Sequence, residues 1–289
     1  MPENKTVIVA TDGSDHSLRV LPHADCLASN LGAGIELLRV VERDDISEEP
    51  GDSESAAIER ARARLEDEMQ GDLKRFGVKG EVRVVIAPEG EDPARTLLSL
   101  GSRGLLLAMH SRGRGGIARI LHGSVALGVL KEVVQPVMLG GPELLPPPAD
   151  GDTYRLVVTT DLSPDADYAL RSIAPLLEQG RFQVTLLYVH LHAPGGVDNE
   201  AERAKHEADL AQKRTLLPAA VPVDIMLREI PIGGGIDTAI MEVAQELRAH
   251  AIAMSTHGTS ARHHLLMGSV AMSILGRSRL PLIVARAQG

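Results

Sequence analysis

The feature that most constrains this chain is that it contains the same pattern twice. VIVATDGSDHSLRVL (Val7–Leu21) lines up with LVVTTDLSPDADYAL (Leu156–Leu170), and RGRGGIARILHGSVALGVL lines up with HGTSARHHLLMGSVAMSIL further on. In each copy an apolar run meets Thr-Asp, and about 100 residues later a Gly is followed after nine residues by Gly-Ser-Val-Ala. Two blocks in the same order imply one structural unit used twice. A length of 289 residues also exceeds the usual size of one compact domain. The Pro-rich stretch GGPELLPPPADGDT (Gly140–Thr153) can continue neither a helix nor a central strand. The expected division is a unit over residues 1–141, a linker over 142–152 and a second unit over 153–289.

Within the first unit, apolar runs bounded by turn residues predict strands at Thr6–Ala10, Gly34–Val41, Val82–Ile86, Leu105–Ala108 and Pro136–Leu139. The second unit repeats them at Arg155–Thr159, Gln183–Val189, Val223–Leu227, Ala251–Met254 and Leu282–Ala285. The longest helix, Ser53–Phe76, carries Ala57, Ala61, Leu65, Met69 and Leu73 at four-residue spacing, one apolar stripe. Strands alternating with helices imply right-handed crossovers and, per unit, a five-stranded parallel α/β sheet. In such sheets ligands collect beyond the carboxyl ends of the strands, where strand order reverses.

Composition narrows the function. Aromatics are 2% of the chain against 44% hydrophobic residues, so aliphatic side chains fill the cores, as suits helices on a buried parallel sheet. A net charge of −9 opposes general nucleic-acid binding. A lone Cys26 in an apolar run forms no internal disulfide and reads as a core residue of a cytoplasmic protein. No apolar run of membrane-spanning length and no secretory leader are read from the sequence.

The repeated blocks fall at strand ends. Gly113 and Gly258 let backbone approach a phosphate closely, and Gly123-Ser124 and Gly268-Ser269 open the following helices. A helix N-terminus presents unpaired N–H groups and a partial positive charge, which favour an anion. The competing reading makes Ser124 and Ser269 plain N-caps. Asp12 and Asp161 end the first strand of each copy; they suit ribose hydroxyls or a Mg²⁺ that bridges phosphates, or else a turn. Ser14 and Ser163, two residues on, read as helix caps. Arg112, Arg114 and Arg119 are candidate phosphate partners, or solvated surface charges.

Asp-x-Ser after the first strand, and G-x-x-G-x9-G-S after the fourth, resemble the nucleotide-binding signature of ATP-binding universal stress proteins, over essentially the whole chain and twice. The resemblance implies two tandem Rossmann-like α/β domains, each a five-stranded parallel sheet of order 3-2-1-4-5 flanked by helices. It carries over Asp12, Gly113, Gly123 and Ser124 in copy one, and Asp161, Gly258, Gly268 and Ser269 in copy two. It places adenine at the end of the second strand, beside Val41 and beside Val189 or His190. It also implies that the last strands pair the halves as an internal pseudo-dimer; a homodimer of chains is a further expectation. The first Gly of the signature is His110 in one copy and Ser255 in the other, so the loop begins with a bulkier residue at both sites.

Other motifs weigh less. Gly113-x-Gly115-x-x-Ala118 fits a dinucleotide pattern but follows the fourth strand and is missing from copy two. His263-His264 point apart on a helix and lack a third zinc ligand in sequence. His110, His257 and the nearby arginines do not assemble a hydrolytic set. The sequence therefore predicts an adenine-nucleotide-binding regulatory module that takes ATP with or without Mg²⁺, or AMP or ADP, and answers to an unidentified protein partner. It leaves open a scaffold of the same fold that binds no nucleotide, or a weak ATPase.

Overall fold

The computed structural model describes residues 5–47, 53–111, 124–133, 135–149, 153–192, 200–256 and 267–285, with the Ser124 side chain outside that set. The first half runs β1 (Thr6–Ala10), α1 (Asp15–Leu18), α2 (Leu21–Leu31), β2 (Gly34–Val41), α3 (Glu54–Phe76), β3 (Glu81–Ile86), α4 (Pro93–Gly101), β4 (Leu106–His110), α5 (Ser124–Glu132) and β5 (Val137–Gly140). The second runs β6 (Tyr154–Thr159), α6 (Pro164–Leu177), β7 (Phe182–His192), α7 (Glu200–Arg214), β8 (Val223–Pro231), α8 (Ile236–Glu246), β9 (Ala251–Ser255), α9 (Ser269–Arg277) and β10 (Leu282–Ala285).

Strand order is β3-β2-β1-β4-β5-β10-β9-β6-β7-β8, so each half has the order 3-2-1-4-5 and the two sheets are continuous. Every pairing is parallel except the seam, where Leu282, Ile283 and Val284 face Leu139, Met138 and Val137 antiparallel. An apolar edge strand exposes unpaired N–H and C=O groups; here each half covers the other's edge. All six seam side chains are buried, at about 1.5–3 kcal/mol each for burying a large aliphatic group.

Alternation along the strands splits the core between two faces. Val7, Val9 and Leu37 pack with α2 and α3, and Leu156, Val158 and Leu186 with α6 and α7. Ile8, Ala10 and Leu38, with Val157, Leu187 and Val189, face α4, α5, α8 and α9. The α3 stripe is buried at Ala57, Leu65, Met69 and Leu73, and Cys26 is half-buried against the same core.

The Pro-rich connection is docked. His110 Nε2 meets Gly141 O at 2.9 Å, Arg19 donates to Pro142 O, His23 Nε2 meets Leu145 O at 2.6 Å, and Leu145 N donates to Arg279 O. Among the described residues no helix is long and apolar enough to cross a membrane.

Candidate functional site

Both halves end their first strand in one turn. Thr11 N donates to Leu38 O and Thr160 N to Leu187 O, which fixes the register of the two copies. Asp12 Oδ1 accepts from Ser14 N at 2.9 Å; Asp161 Oδ1 accepts from Ser163 N at 3.1 Å and from Ser163 Oγ. Thr11 and Thr160 hydroxyls accept from Gly13 N and Leu162 N. Ser14 and Ser163 then cap α1 and α6. The aspartates thus serve the turn, and a carboxylate with two oxygens retains capacity for a ligand while doing so.

In the second half this turn borders a cavity of about 170 Å³. Thr159, Thr160 and Asp161 come from the end of β6, Leu187–Val189 from β7 and Met254–Thr256 from the end of β9. Ile236 and Ile240 of α8 and residues 268–271 at the start of α9 complete it. This is where β6 sits between β7 and β9, the reversal point of the half. Five residues expected from sequence meet here: Asp161, Val189, Ser255, Gly268 and Ser269. Burial pushes the Tyr188 phenol above its usual range, and the charges of Asp161, Glu202 and Asp209 add to that.

The start of α9 decides between an anion site and a plain cap. Gly268, not Ser269, is the N-cap residue (φ −66°, ψ 161°), and among the described residues no side chain caps the helix. Gly268 N donates to Thr256 O at 2.7 Å and its carbonyl accepts from Met272 N. The amides of Ser269, Val270 and Ala271 have no hydrogen-bond partner among the described residues. Ser269 is exposed in the first turn. Three unpaired donors and the helix dipole converge on the cavity wall.

The first half is built differently. His110 is buried and tied to Gly141 O, holding the end of β4 to the connection. Ladder register equates Val41 with His190 and Val40 with Val189, since Leu38 matches Leu187. Val41 packs toward α2 and α3, whereas Val189 faces α8 and α9, so the two expected adenine neighbours are not equivalent. Where Tyr188 lines the cavity in the second half, the first has Arg39, buried and 3.7 Å from Glu68. Arg112, Gly113, Gly123, His257 and Gly258 lie outside the described residues, as do Arg114, Arg119, His263 and His264.

Sequence reasoning missed Tyr188, Met254, Thr256, Ile236 and Ile240. Register between the repeats, had it been carried along β2 and β7, would have flagged Tyr188 against Arg39. A second cavity, about 710 Å³, lies at the opposite ends of β4 and β5 against α6, and among the described residues Glu132 is the one charged residue that lines it.

The universal stress protein family profile matches residues 3–139 and again 153–286. A universal stress protein of Mycobacterium tuberculosis is 25% identical over 232 residues, 77% of this chain and 74% of its own length. One of Methanocaldococcus jannaschii is 31% identical over 144 residues, 47% of this chain and 81% of its own length. The crystal structure of a universal stress protein from Archaeoglobus fulgidus superposes with a TM-score of 0.62 at 22% identity, covering 99% of both chains. Matched in both halves by one family profile, the chain belongs to the universal stress protein family as a tandem member.

Proposed function

We propose that the second half binds an adenine nucleotide at the strand-end cavity and that the chain acts as a nucleotide-responsive regulatory module. The observation that carries this reading is the start of α9, where three amides lack a partner among the described residues beside a largely apolar cavity at the reversal point. The cavity is smaller than the roughly 300–1,000 Å³ of sites for drug-sized ligands. It suits one flat ring between Val189 and Ile240, with the phosphates at Ser269–Ala271 and any Mg²⁺ near Asp161. Tyr188 and Asp161 are the ionisable side chains among the described lining residues, a set suited to binding more than to hydrolysis.

The first half favours a structural role, because His110 replaces a small loop residue and is committed to Gly141. On this reading ATP, ADP or AMP stabilises one arrangement of the second half in the cytoplasm, and a protein partner or a second copy of the chain reads that state. Isothermal titration of the full chain with Mg-ATP, ADP and AMP tests it. Saturable heat and a raised melting temperature are expected; neither at millimolar nucleotide would leave the scaffold reading standing.

A further inference from the structure

The second half carries a side-chain cluster with no counterpart in the first. His190 lies on β7, two residues past Tyr188 on the face that α7 covers, and Glu202 and His206 stand one helical turn apart on α7. The ligand atoms of all three lie within 4.8 Å of one another. His190 Nε2 is 3.8 Å from Glu202 Oε1, and the two imidazole rings have centroids 4.4 Å apart. Tyr188 closes the inner side, its ring 5.1 Å from that of His206 and edge-on to it. A separate observation points the same way: His206 Nδ1 is buried and has no hydrogen-bond partner among the described residues. A buried ring nitrogen of that kind is paired in most folded proteins, and a metal ion satisfies it as well as a hydrogen bond does.

We propose that His190, Glu202 and His206 form a three-ligand site for a divalent transition metal, with Zn²⁺ the ion that two imidazoles and one carboxylate fit best. Such a set leaves a fourth position for water or another ligand. Tetrahedral zinc with bonds near 2.0–2.1 Å needs donors about 3.3 Å apart, so the cluster must tighten on binding. Glu202 has its side chain about half exposed (50%) and can move by a rotamer change, whereas the two histidines are held against Tyr188. The site belongs to this half alone, because register places apolar Val41 where β7 presents His190. Its ligand residue His190 points to the face of the strand opposite Val189 of the cavity, and Tyr188 stands between the two sites, lining the cavity and packing against His206.

The test uses the full chain, stripped with a chelator and titrated with Zn²⁺, with Co²⁺ absorbance as a second readout. One Zn²⁺ per chain is expected, and His190→Ala, His206→Ala and Glu202→Gln should each weaken binding at least about tenfold. Cys26→Ser and His16→Ala should leave it unchanged. Glu202→Gln alters an exposed helix side chain and keeps the test valid should a histidine variant fail to fold. Absence of Zn²⁺ binding, binding that the three variants leave intact, or binding abolished by Cys26→Ser would overturn the proposal.

Discussion

Gly13 and Leu162 hold the same turn in the same left-handed backbone conformation, at φ 80° and 64°, yet only one of them is glycine. The turn is imposed from both sides by the Thr and Asp hydrogen bonds, so the residue between them must adopt it. At Gly13 a Cβ would stand 2.6 Å from Arg39 Nη1. Leu162 instead packs its side chain against the core that also holds Tyr188. Left-handed backbone costs a non-glycine residue about 1–2 kcal/mol. Gly13→Ala should therefore lower stability by about 1–3 kcal/mol in urea denaturation. Leu162→Gly should change it by less than about 1 kcal/mol, since relieved strain offsets lost packing.

The seam depends on a close approach. A Cβ on Gly141 would lie 1.9 Å from the Leu275 carbonyl oxygen of α9, a backbone atom that cannot swing aside. Gly141→Ala should cost at least about 1–3 kcal/mol, seen as a lower urea midpoint. An unchanged midpoint would mean that the connection does not rest on α9 as described.

His23, buried under the connection, gives the fold a pH dependence. Burial lowers its pKa from 6.5 to about 4, outweighing the hydrogen bond to Leu145 O, with His250 adding to the fall. The folded pKa lies below the unfolded one, so the unfolded chain takes up the proton first. The contribution is whole above about pH 6.5 and is lost as pH falls toward 4. Up to about 3 kcal/mol is at stake. His23→Gln, which keeps a donor for Leu145 O, should flatten stability across that window in denaturation series at stepped pH. A slope equal to that of the unaltered protein would exclude His23 as its source.

Most of the scaffold was legible because two periodic signals agreed in two copies. All ten strands begin within one residue of where the apolar runs placed them, and α3 follows its four-residue stripe. Strands β7 and β8 run on to His192 and Pro231, past the expected ends at Val189 and Leu227, because pairing with each other sustains them after the apolar run gives way to His190, Arg228 and Glu229. The lining of the candidate site was legible where it lies in the repeat, since Asp161 and Gly268-Ser269 do border one cavity. It was not where register or long-range contact decides. Val41 and Val189 hold similar places near strand ends but lie on opposite faces, and the cluster of His190, Glu202 and His206 joins two elements with no sequence signature between them.

Among the described residues nothing in the fold requires glycine at position 268. Its φ of −66° suits any residue, and a Cβ there would meet the Thr256 carbonyl oxygen at an ordinary 3.6 Å. Backbone and packing among the described residues would accept a capping side chain, so its lack keeps the three amides available. Gly268→Asp should place a carboxylate on those amides and raise stability without ligand by about 0.5 kcal/mol. The most direct test compares Mg-ATP titrations of the unaltered chain and Gly268→Asp. The account predicts binding to the first and at least about tenfold weaker binding to the second. Equal affinity in the two would show that the start of α9 does not hold the phosphates.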